Sequence, residues 1–150
     1  MNPLIESWQI HNRINIYLLD SIDEENLKDL SASKGRTVGE QFEHMHLVRL
    51  MWLKVADASL LEGLTKTEKE YLTKDNLRSE LQLSGEAVMK LFERSTDDKI
   101  RGFKPHATAF LCYLMSHESH HRGQIMLCLK QSGHPVDKKI QYGIWEWGVR

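Results

Sequence analysis

Apolar side chains recur along this chain at steps of three and four, the spacing of one face of a 3.6-residue helix, while strand-type alternation is scarce. A first helix is predicted from Pro3, a favoured first-turn residue. It carries Ile5, Trp8, Ile14, Tyr17, Leu18 and Ile22 to about residue 29. Residues 31–37 (SASKGRT) read as a loop. Thr37 followed by Glu40 is a capping-box signature. It opens a second helix over 38–60, with Val38, Phe42, Met45, Val48, Met51, Trp52 and Val55 at helical spacing. The polar stretch 62–74 is a connection with room for a short helical turn. Asp75 or Asn76 caps a third helix, which runs to about 95 through Leu77, Leu81, Val88, Leu91 and Phe92. A second long loop, 95–107, closes at Pro105. Thr108 caps a fourth helix, which reaches about Gln131 and stops at Gly133 and Pro135. Four helices of roughly 20 residues make an all-α four-helix bundle, and 150 residues make one domain, 1–150.

Composition narrows the function classes. Lys and Arg number 20 against 21 Asp and Glu, a net charge of −1, so there is no basic footprint for nucleic acid. No apolar run is long enough for a membrane span. The N-terminus, with Glu6 and no basic-then-apolar sequence, does not read as a secretory signal. Cys112 and Cys128 fall on one predicted helix roughly 24 Å apart, too far to bridge. Free thiols and the absence of a signal predict a cytoplasmic protein.

Histidine is the unusual residue, with eight in the chain. On the fourth helix Phe110, Leu114, His117, His121, Ile125 and Cys128 share one face. Two imidazoles one turn apart on an apolar stripe can converge on one ion, and neutral imidazole is a common ligand for Zn and Ni. A third ligand should come from another helix. His44 lines up with Val48, Met51 and Val55, and His46 with Phe42, Leu50 and Leu53, so periodicity does not choose between them. His11 reads as a partly exposed helical residue, His120 lies off the ligand line, and His106 and His134 read as solvated turn residues. HESHH (117–121) also satisfies H-E-x-x-H, which would make Glu118 the general base of a zinc hydrolase with Glu146 as a later carboxylate ligand. The longer form of that motif fails at Gln124 and Leu127. In a bundle, Glu118 would instead pair with Arg122 at i+4 on the helix flank.

Two stretches carry a resemblance. TVGEQFEHMHLVRLMWL (37–53) and HESHHRGQI (117–125) resemble the two motifs of the DinB/YfiT-like family. The resemblance implies an up-down-down-up bundle and a divalent-metal site of His44, His117 and His121, selecting His44 over His46. It also implies the chemistry of relatives that are metal-dependent thiol S-transferases or isomerases working on a low-molecular-weight thiol such as bacillithiol, mycothiol or glutathione. A non-catalytic bundle with a structural metal cluster or a partner-binding role is the alternative. Glu40 and Gln124 are candidate supports for the ligands, or simply a cap and a flank residue. The small-molecule substrate is not readable. The closing tail, with Ile140, Tyr142, Ile144, Trp145 and Trp147, is too apolar to stay solvated. It should fold over its own bundle end or cover a partner chain, and relatives often pair, so a homodimer is expected.

Overall fold

The computed structural model describes residues 2–150. Four long helices, α1 (Pro3–Asp20), α2 (Val38–Ala56), α3 (Lys74–Arg94) and α4 (Ala107–Gln131), are followed by a short α5 (Lys138–Gly143). No strand occurs among the described residues, only an isolated bridge between Ile100 and Phe103.

Side-chain contacts fix the helix directions. Trp8 donates to the Gly85 carbonyl while Asp20 pairs with Arg78, so α1 and α3 are antiparallel. Arg49 reaches Ser84, and Asp57 just past α2 pairs with Arg94 at the end of α3, so α2 and α3 run parallel. Gln41 meets His121 and Trp52 meets Phe110, so α2 and α4 are antiparallel. His11 meets Glu118 and Asn15 meets Arg122, so α1 and α4 run together. The order is up-down-down-up, as the family resemblance implies, and the α2–α3 connection travels the length of the bundle.

The element boundaries differ from the sequence reading at several ends. The first helix stops at Asp20 rather than near residue 29, because the Ser21 hydroxyl and N–H both turn back to the Leu18 carbonyl. A 3₁₀ segment, Glu24–Lys28, then carries Leu27 into the core. Apolar spacing therefore continues past the true helix end. α2 stops at Ala56 rather than 60, where Asp57 leaves helical geometry and accepts from the Ser59 N–H, and a 3₁₀ segment (Ala58–Leu61) follows. Thr73, not Asp75 or Asn76, caps α3. His106, not Thr108, caps α4, its Nδ1 accepting from the Ala109 N–H at 3.1 Å. The Thr37–Glu40 capping box forms as expected, at 3.2 and 3.3 Å.

The core falls into two apolar clusters. One holds Ile14, Leu18, Phe42, Met45, Leu77, Leu81 and Ile125. The other holds Trp8, Leu53, Val88, Phe92, Phe110 and Leu114. Each long helix crosses between them with polar residues that are themselves buried: His11 and Asn15 on α1, Arg49 on α2, Ser84 on α3, Glu118 and Arg122 on α4. The tail folds over its own bundle end. Ile144 joins the first cluster with Trp147 packed against it, and Arg150 stacks 3.8 Å from the centre of the Tyr17 ring. Among the described residues no helix is long and apolar enough to cross a membrane.

Candidate metal centre

α4 presents His117 and His121 on one face, one turn apart, and the antiparallel α2 brings His44 against them. The Nε2 atoms of His117 and His121 stand 3.1 Å apart, and those of His117 and His44 3.3 Å apart. One ligand atom from each of the three lies within 4.8 Å of the others. Donors sharing one tetrahedral ion at about 2.0–2.1 Å stand roughly 3.3 Å from each other, so this donor set fits a divalent metal such as zinc or nickel.

Hydrogen bonding and burial prepare the imidazoles for that role. The Nδ1–H of His121 donates to the Gln41 side-chain oxygen at 2.6 Å, which leaves the Nε2 lone pair aimed at the cluster. Burial, then the neighbouring His117 and His44, hold His121 down at about 4. Burial also lowers His44, assisted by Arg36 and His117. His117 is lowered by burial against the opposing pull of Glu118. Neutral imidazoles are the form that binds metal, so at neutral pH no proton has to leave first. His121 is buried, while His44 and His117 are half-buried. Farther along the His44 line, Met51 and Val55 are half-exposed, so this line borders the rim and not the core as its apolar character suggested.

The other histidines are elsewhere. His46 faces the α2–α3 side, buried, and its Nε2–H donates to the Thr65 carbonyl at 2.7 Å. His120 is exposed and contributes no atom to the cluster. His134 donates to Asp29 at 2.6 Å rather than simply facing solvent. His11 overturns its reading as a partly exposed residue. It is fully buried, and its Nε2–H donates to Glu118 at 2.7 Å.

Glu118 is the larger correction. It does not sit on a helix flank, and its hydrogen bonds come from other helices rather than from Arg122. It is 1% exposed, gripped by Arg49 through Nε to Oε1 at 2.6 Å and Nη2 to Oε2 at 2.8 Å, with His11 and Asn15 each donating at 2.7 Å. Burial alone would raise its pKa, but Arg49, reinforced by His11, holds it far below the usual carboxylate range. Arg122 instead donates to Asn15 at 2.6 Å and Ser119 at 3.0 Å. A carboxylate this buried, taking four hydrogen bonds and held ionised by Arg49, is shut away from any substrate proton, which argues against the H-E-x-x-H reading. Glu146, the later carboxylate ligand of that reading, is exposed beside Arg150. Of the two candidate supports, Glu40 is a cap and pairs with Lys69 at 3.1 Å, and Gln124 is half-buried without a hydrogen bond to the cluster among the described residues; the side chain that orients His121 is Gln41, the neighbour of Glu40. Gln41, Arg49 and Asn15 carry no local signal in the sequence, because their partners lie 32 to 107 residues away.

Comparison with known proteins agrees with this architecture. A crystal structure of a DinB-like protein from Bacillus cereus ATCC 10987 superposes with a TM-score of 0.68 at 22% identity, over 89% of this chain and 93% of that one. At that identity the likeness is one of fold. No curated protein matches the chain. The DinB family model matches residues 1–142, nearly the full length, and the chain belongs to the DinB family.

Proposed function

We propose that the chain binds one divalent metal ion, zinc or nickel, through His44, His117 and His121, and uses it on a small-molecule substrate. The observation that supports this most is the convergence of three neutral Nε2 donors at 3.1 and 3.3 Å. A divalent ion on three neutral ligands supplies Lewis acidity, enough to keep a bound water or thiol deprotonated near neutral pH. The chain's own contribution is to fix the donors. Gln41 orients His121, and the α2–α4 contact sets the distance of His44. Half-burial of His44 and His117 leaves the cluster reachable by a small molecule. Metal-dependent transfer to or from a low-molecular-weight thiol is the reaction class we favour, on the family resemblance of the two histidine motifs.

The test is a Zn and Ni titration of protein purified without a His-tag and stripped of metal. Wild type should take up about one ion per chain. Substituting alanine at His44, His117 or His121 should weaken binding by more than about 100-fold, since losing a mere ligand support already costs 10–100-fold. His46→Ala and His120→Ala should bind as wild type does, even though the first removes a buried side chain. Absence of stoichiometric uptake by wild type would overturn the reading. A loss at His46 with none at His44 would move the site.

A further inference from the structure

We infer that Glu118, through its fork to Arg49, is a positioning residue for the metal centre. It sets the rotation and register of α4 on α2 so that His117 and His121 meet His44. The inference rests on the metal reading above.

The geometry is that of a clamp beside the site. Glu118 follows His117 directly and precedes His121 by three residues, so any rotation of α4 that moves the carboxylate moves both imidazoles. Arg49 lies five residues beyond His44 on α2 and is fully buried. Two parallel bonds, at 2.6 and 2.8 Å, join the guanidinium to the carboxylate edge to edge. A bidentate fork restricts orientation as well as distance, which a single contact would not. Both partners are locked from behind. Arg49 Nη1 donates to the Leu81 carbonyl at 2.9 Å and to Ser84 at 3.2 Å, tying the clamp to α3. His11 and Asn15 tie it to α1.

All four long helices thus hold the one carboxylate adjacent to the ligand pair. Burial of the two apolar clusters is non-directional, whereas the hydrogen bonds of this layer fix both distance and orientation. A buried ion pair is weak grounds for stability alone and is better understood where it specifies one arrangement. Gln41 to His121 and Trp52 on Phe110 also join α2 to α4, but each is a single contact, and the fork is the one two-bond, orientation-fixing link beside the ligand pair.

Cobalt(II) is the probe, because its visible ligand-field spectrum reports coordination geometry independently of any activity. Wild type, Glu118→Gln, Arg49→Lys and a distant core variant, Leu91→Ala, are compared for thermal stability, Co(II) affinity and spectrum. Glu118→Gln and Arg49→Lys should bind Co(II) about 10–100-fold more weakly, as losses of ligand support do, with an altered spectrum. Leu91→Ala should lose stability yet keep the wild-type spectrum. In wild type, metal loading should slow exchange of the Arg49 Nε–H more than that of the Leu91 backbone N–H in the interior of α3, because coupling is reciprocal. Equal slowing, or folded fork variants with wild-type affinity and spectrum, would overturn the inference. If wild type itself takes up no Co(II), the metal reading fails first.

Discussion

Glu43 and the three clustered histidines oppose each other in their dependence on pH. Burial, then the hydrogen bond and charge of Glu80, push the Glu43 carboxyl up to about 8. A carboxyl raised from its ordinary 4.5 contributes stability that is complete below that value and lost as pH rises through about 8. His44, His117 and His121 are lowered from 6.5, so their contribution is complete above 6.5 and lost as pH falls, for His121 through about 4. Glutamine at position 43 keeps a donor toward Glu80 and cannot ionise. In metal-free protein, Glu43→Gln should therefore gain on wild type as pH rises from 5 to about 8 and level off above that, by urea denaturation. A difference that stays constant across that range would reject the assignment. At this scale the sequence was partly legible. His117 and His121 stand out because they recur on one helical face. His44 could be told from His46 only through the family-like motif, since both lie on partly apolar lines. His11 and Glu118 were misread because what buries them is supplied by other helices.

Elements were legible where a local chemical signal ends them and misread where tertiary packing does. Thr37 and Glu40 cap α2 reciprocally, and that pattern is complete within four residues. The start of α4 was displaced by two residues because a histidine does the capping, a role its neighbour Thr108 fills more often. The end of α1 was missed because Ile22, in the bend that follows, and Leu27, in the 3₁₀ segment, stay buried after α1 has stopped. These assignments have measurable consequences. Thr37→Ala should cost about 1 kcal/mol, the usual worth of an N-cap, which for a chain of this size lowers Tm by roughly 2–4 °C. Thr108→Ala, on the exposed first turn, should leave stability within about 0.5 kcal/mol of wild type. A loss at Thr108 as large as that at Thr37 would show that His106 is not the cap.

At the scale of the whole molecule, the tail divides its apolar side chains between the bundle and the surface. Apolar content alone left two fates open, and the fold takes the intramolecular one. Ile144 is buried, Gly143 lies against Tyr17, and Arg13 donates to the Arg150 carbonyl at 3.0 Å. That packing does not use every apolar side chain. Tyr142, Trp145 and Val149 remain 71%, 76% and 69% exposed, all within eight residues of one another. Singly exposed hydrophobics are ordinary, but an exposed Trp beside a Tyr and a Val, on a segment pinned to the bundle, is the composition of an interface centre. A surface that pairs with a second copy of itself most simply closes as a two-fold dimer. We therefore predict a homodimer joined through this tail face, with the metal cluster of each copy outside the contact. Multi-angle light scattering should give twice the chain mass of 17.5 kDa. Trp145→Glu, which places a charge at the centre of the patch, should give a monomer that unfolds cooperatively and still binds metal. A wild-type monomer at high protein concentration would reject the dimer and leave the packing of Ile144 and Arg150 on the bundle end as it stands.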